Sequence, residues 1–225
     1  MSIVNVSVGV DGLSANGASY APVFSPDGSK VAFLSNASNL VNDDFNNVMD
    51  IFIKDLQTGQ IERIANNGVD LLPSTELQFS PDGLVLLFSV NGQIYEATVQ
   101  SGINPTPFQG DNVTFSPNGL LAFDLNGEIS VLGRGIVAQG QRPVFSPDSQ
   151  RLAFNDTIGG LSVVDLSTGL STQIAPNVIG VSYPASFSPD GSKIAFFTMS
   201  NYVAQDTHNS ADVYVYDFAS QQMTL

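Results

Sequence analysis

The sequence predicts an all-β chain built from five four-stranded antiparallel meanders, and three observations carry that prediction. The string Phe-Ser-Pro-Asp-Gly stands at 24–28, 79–83 and 187–191, and recurs as Phe115-Ser116-Pro117-Asn118-Gly119 and Phe145-Ser146-Pro147-Asp148-Ser149. After each copy an alternating run ends in a second Phe, as in Val31-Ala32-Phe33 and Ile194-Ala195-Phe196. The acidic residues are 17 Asp and only four Glu, an imbalance typical of turns and not of helix surfaces.

Each element follows from its residues. In Ser-Pro-Asp-Gly, Pro presets φ, Asp or Asn bonds locally and Gly takes the left-handed position, which suits a tight hairpin. Ser149 replaces that Gly in one copy and is expected to be mildly strained. The runs ending at Phe33, Phe88, Phe123, Phe154 and Phe196 read as second strands. Third strands follow at Ile51-Phe52-Ile53, Ile94-Tyr95-Glu96, Ile129-Ser130-Val131, Leu161-Ser162-Val163 and Val213-Tyr214-Val215, three of them leading into Asp55, Asp165 and Asp217. A turn then opens a less regular fourth strand, as in residues 58–64. Ten of the 15 Phe occupy the two repeated slots, so each sheet carries apolar faces that it can bury only against a neighbour.

Pro-x-Phe-Ser-Pro-Asp-Gly-x-Lys-[Val/Ile]-Ala-Phe, followed by Asp-Ile-Phe-Ile-Lys-Asp-Leu-x-Thr-Gly, resembles the WD-like propeller repeat of the TolB type. The resemblance covers essentially the whole chain. It implies a β-propeller, and, as an expectation about role, a cell-envelope module that engages partner proteins outside the cytoplasm. One scaffold of this kind carries many functions, so the resemblance speaks more clearly of fold than of activity.

The motif Phe residues lie 55, 36, 30 and 42 apart, which places blade starts near 21, 76, 112, 142 and 184 within a single domain, 1–225. The remaining 62 residues, from Phe187 to the end and on from Met1 to Phe24, read as one long blade. Residues 3–8 are expected to complete its outer edge and close a five-bladed ring, an arrangement that would protect the edge strand. The competing reading is a five-repeat piece of a larger propeller.

Composition narrows the function. With no Cys among 225 residues, a disulfide framework, a thiol nucleophile and a thiolate metal site are excluded. Seven Lys+Arg against 21 Asp+Glu give a formal charge of −14, which repels a phosphate backbone, so nucleic acid and anionic membranes are poor partners. No apolar run approaches the roughly 20 residues of a membrane helix, and the first six residues lack the pattern of a signal peptide. A cytoplasmic setting therefore stays open beside the extracytoplasmic one. A monomer is expected.

Variable loops on a rigid scaffold are where binding normally resides, and two stand out, at 36–49 and 199–211. Asp44-Phe45-Asn46-Asn47-Val48-Met49-Asp50 aligns without gaps on Asp206-Thr207-His208-Asn209-Ser210-Ala211-Asp212, and ring closure would make the loops neighbours. Oxygens of Asp44, Asn46, Asp50, Asp206 and Asp212 are candidate ligands for a hard cation, with calcium the best fit; no cofactor is required. The alternative is that these side chains only order long loops through bonds to the backbone. Asp43, Phe45, Tyr183, Tyr202 and His208 are the candidate partner contacts. Lys30, Arg151 and Lys193 recur as framework cations, and Arg134 with Arg142 offers a weaker carboxylate clamp.

The single His lies in an acidic loop without a nucleophile-elbow motif, and no Gly-rich phosphate loop opens a helix. The chain is therefore expected to be a non-catalytic binding or scaffold module, with no catalytic residues. The alternatives are a glycan-binding or glycan-cleaving propeller using loop aromatics and paired acids, and a calcium-stabilised surface module.

Overall fold

The Ser-Pro-Asp-Gly turn builds each hairpin through one repeated network. In a computed structural model describing residues 4–176, 185–207 and 210–225, Ser25 N–H donates to Lys30 O at 3.0 Å and Gly28 N–H donates to Ser25 O at 2.8 Å. The Ser25 hydroxyl accepts from Lys30 N–H at 2.9 Å and donates to Asp27 Oδ1 at 2.6 Å. The Ser-to-Asp/Asn bond recurs from Ser80, Ser116, Ser146 and Ser188 at 2.5–2.6 Å. A second capping device follows each Asp-terminated third strand. Asp55 Oδ1 accepts from Gln57 and Thr58 N–H, and Asp165 and Asp217 do the same for the residues after them.

Among the described residues these hairpins link nineteen strands, all antiparallel to their neighbours. β1 (Ser19–Phe24), β2 (Lys30–Ser35), β3 (Asp50–Asp55) and β4 (Ile61–Ile64) form one meander, and β5 (Gln78–Phe79), β6 (Leu86–Val90), β7 (Gln93–Thr98) and β8 (Gly102–Gln109) another. A seven-stranded sheet runs through β9 (Asp111–Phe115), β10 (Leu121–Leu125), β11 (Glu128–Val131), β12 (Gly135–Phe145), β13 (Arg151–Asp156), β14 (Leu161–Asp165) and β15 (Ser171–Ala175). The last sheet holds β16 (Ser186–Phe187), β17 (Lys193–Thr198), β18 (Asp212–Asp217) and β19 (Gln222–Thr224).

The described strands thus make four sheets, none of them closed, and do not show the closed five-bladed ring expected. Part of the difference lies in β12, whose first half pairs with β11 and whose second half, from Gly140, pairs with β13. It is shared by two four-stranded meanders because the 30-residue interval between Phe115 and Phe145 leaves no residues for a separate connection. Gly140 is required at the crossover, since a Cβ there would lie 2.4 Å from Asn155 O.

The expected closing strand is also absent among the described residues. Residues 4–8 form no strand, Val8 makes only an isolated bridge to Ser14, and β19 pairs only with β18. The physical reason is a competing burial: Val6 packs with Ala15 against Val31, Phe33, Ala37, Leu40 and Phe52 of the first meander.

The chain divides into two compact units, 1–109 and 110–225. In the first, β2 is buried on both faces: Ala32 and Leu34 meet Leu77, Phe79 and Phe88 of the next meander, while Val31 and Phe33 turn the other way. In the second, Ala122, Ile129 and Val131 stack on Leu152, Phe154 and Val164, and Ala153, Leu161 and Val163 stack on Ile194, Phe196 and Tyr214. Within each unit, consecutive motif turns also meet. A Cβ on Gly83 would contact Pro26, one on Gly191 would contact Pro147, and Ser149 Oγ accepts from Asn118 N–H at 3.3 Å. That bond gives Ser149 a role at its left-handed φ of 59°.

Three of the five motif-bearing strands share a bulge. Ala21, Asn112 and Arg142, each three residues before a motif Phe, have φ of 48°, 47° and 56°, and the ladder register shifts there. At two of these bulges the freed groups serve Asp124, whose Oδ1 accepts from Asn112 Nδ2 at 2.8 Å and Arg142 N–H at 3.0 Å.

Candidate functional site

The first-blade loop is built around buried charge. Asp50 opens β3 and is fully buried, and Asp44 is 5% exposed. Arg63, on β4 opposite Phe52, places Nη1 2.7 Å from Asp44 Oδ1 and 3.5 Å from Asp50 Oδ2. Asn46 Nδ2 donates to both Asp50 oxygens at 3.1 and 3.0 Å, and the Asn66 N–H donates to Oδ1. Asn66 ties the next connection down as well, donating to Met49 O at 3.0 Å and Val69 O at 2.6 Å. Burial pushes the Asp50 carboxyl above the ordinary carboxylate value, against the pull of the Asn66 and Asn46 donors and the Arg63 guanidinium.

Asn46 and Asn66 of this network also line an open cleft of about 720 Å³, between the β2–β3 loop and the β4–β5 connection. Asn36, Asn46, Val48 and Met49 line one side, and Asn66, Val69, Asp70, Leu71 and Pro73 the other. Asp43 is exposed, and Phe45 is 80% exposed at the tip of the same loop.

The matched fifth-blade loop holds its first acid differently. Tyr214 occupies the β18 position that Phe52 occupies in β3, is fully buried, and donates its hydroxyl to Asp206 Oδ2. Burial and the Asp206 bond keep that phenol protonated to above its ordinary range. Tyr202 packs edge-on to Tyr214 with ring centroids 5.3 Å apart and donates to Pro176 O, so it braces the loop and does not project from it. Asp212 Oδ2 is buried with no hydrogen-bond donor among the described residues. Tyr183 and His208 lie outside the described residues.

Of the five candidate cation ligands, the structure thus joins Asp44, Asn46 and Asp50 in one network, with Arg63 supplying the positive charge between the carboxylates. Asp206 and Asp212 form a second set around Tyr214. Among the described residues no three acidic or imidazole groups are arranged to hold a metal ion. The other cations do framework work: Arg151 stacks 4.4 Å above Phe218 and donates to Gly191 O at 2.6 Å, Lys193 pairs with Asp217, and Arg134 donates to Leu166 O at 2.6 Å.

Arg63, Asn66 and Asp70 were not legible as site residues. Their one sequence signal is the 55-residue interval from Phe24 to Phe79, the longest between motifs, which leaves a long β4–β5 connection.

No protein-family model matches the sequence, and no curated protein sequence matches it. Solved structures do. An oligogalacturonate lyase in complex with manganese is similar at 15% identity and a TM-score of 0.60, over 94% of this chain and 66% of the lyase. The Kuenenia stuttgartiensis hydrazine synthase is similar at 18% and 0.55, over 90% of this chain and 64% of that one. A protein described as TolB from Agrobacterium tumefaciens is similar at 18% and 0.53, over 92% and 80% of the two chains. A chain of a nidogen/laminin complex is similar at 14% and 0.58, over 93% and 79%. This chain therefore spans less than two thirds of the length of either enzyme chain.

At 14–18% identity these likenesses establish a β-propeller fold and no activity. They also correct one expectation. The fold is shared by enzymes as well as by proteins that assemble with others, so the reading of this chain as a non-enzyme, which rested on the missing nucleophile and phosphate-loop motifs, does not stand.

Proposed function

We propose that this chain is a protein-binding propeller and that its partner docks on the face formed by the β2–β3 loop and the β4–β5 connection. The observation that carries the reading is the cleft of about 720 Å³ whose lining residues Asn46 and Asn66, one from each side, are both tied to the buried Asp50. A preformed concavity with exposed Phe45 beside it costs little ordering on association. The likeness to a propeller solved in complex with laminin supports the class of role, and the likeness to TolB supports an extracytoplasmic setting.

The test is affinity purification of a partner followed by titration against two exposed-site variants, Phe45→Ala on the loop face and Ser29→Glu at the Ser-Pro-Asp-Gly turn. Loss of affinity in Phe45→Ala alone supports the reading. Loss in Ser29→Glu alone would move the interface to the turn face.

A further inference from the structure

We infer that the first-blade cleft takes an extended basic peptide segment of a protein partner, a step that rests on the protein-binding reading and names the class of partner. Three features argue for this occupant. The walls are aliphatic, with Val48, Met49, Val69 and Leu71 interleaved with the amides of Asn36 and Asn46, a pattern suited to a peptide's alternating side chains and backbone. No aromatic ring lines the cleft, so the flat stacking surface on which a sugar ring rests is missing. The charge is one-sided: Asp70 lines the cleft, Asp43 is exposed on the adjoining loop, no Lys or Arg is among the described residues that line it, and Arg63 is shared by two buried carboxylates.

That local excess sits within a chain of formal charge −14, so a Lys- or Arg-bearing segment is drawn in and an acidic one repelled. The walls of the cleft are held to one another. Asn66 uses its amide to hold Met49 and Val69, one from each wall, so the two sides keep their spacing without a ligand.

The experiment uses the whole chain and three fluorescein-labelled octapeptide pools. One alternates Lys or Arg with Leu, Val or Met, one replaces the basic residues by Asp or Glu, and one replaces them by Ser. Binding is read by fluorescence polarisation in low salt and in high salt. Asp70→Lys and Val48→Asp are both at exposed positions, and their melting curves are recorded so that lost binding is not lost fold.

The basic pool should bind, weaken at least about tenfold in each variant, and weaken in high salt. Equal binding of the acidic or Ser pools, or basic-pool binding unchanged in both variants, overturns the inference. So does binding of a neutral oligosaccharide that Val48→Asp abolishes. If an isolated partner still docks through Phe45 while the basic pool does not bind, the peptide class fails and the protein-binding reading stands. If neither binds, both fail.

Discussion

Arg63 Nη1 lies 2.7 Å from Asp44 Oδ1, joining β4 to a loop residue 19 positions earlier. This pair anchors the β2–β3 loop, because the same guanidinium also faces the fully buried Asp50. Removing the guanidinium leaves two buried carboxylates sharing only neutral donors. Arg63→Met is expected to lower stability by about 3–5 kcal/mol, measured by urea unfolding, and Arg63→Lys by less. A loss under 1 kcal/mol in Arg63→Met would show that the pair is solvated.

A calcium titration tells the two matched loops apart. Arg63 already neutralises the first acid set, whereas Asp212 in the second retains a buried oxygen without a described donor. Any rise in Tm with calcium over chelator is expected to survive Asp50→Asn and to vanish in Asp212→Asn. The reverse pattern would place the ion in the first loop.

Acid should unfold the protein through its turns. Hydrogen bonds from Ser25 and Ser188 hold Asp27 and Asp190 at about 2, against an ordinary 3.8. A carboxylate held low in the folded state stabilises above its unfolded value, and that contribution is lost as pH falls from 3.8 to about 2. Asp50 works in the opposite sense: with its value raised by burial, its contribution is fullest in acid and is lost as pH rises through its folded value. Urea midpoints measured across this range should fall toward acid, and the double variant Asp27→Asn, Asp190→Asn should fall less steeply.

The repeated bulge predicts a gain. Ala21 sits at φ 48°, a left-handed conformation that favours Gly, so Ala21→Gly is expected to stabilise by about 0.5–1 kcal/mol. The same change at Ala32, buried in a strand at ordinary φ, should destabilise. Thermal melts of the two variants moving in the same direction would contradict the strain.

Tyr214→Phe removes the hydroxyl that reaches Asp206 and puts at this β18 position the residue type that Phe52 supplies in β3, while no cation is among the β18–β19 pairs. Its Tm should fall by several degrees, while Phe218→Leu, at the Arg151 stack, should fall less.

Much of the fold was written in local chemistry. The turn at Ser25-Pro26-Asp27-Gly28, the caps at Asp55, Asp165 and Asp217, and the framework roles of Arg151 and Lys193 follow from residues within a few positions or from an exact repeat. The alignment of Asp44 and Asp50 with Asp206 and Asp212 picked out two loops that the structure does organise around buried acids. It gave no hint of what neutralises them.

The sequence by itself determined an all-β chain of repeated meanders, because turn geometry and strand alternation depend on neighbours along the backbone. Only the tertiary structure decided that β12 serves two meanders, that Val6 covers the first one, and that Arg63 and Asn66 both reach the buried Asp50. Each of those outcomes is a competition for burial or for charge between groups far apart in the chain. The winner is set by which partner the packing brings within bonding distance, and that distance is not a property of sequence spacing.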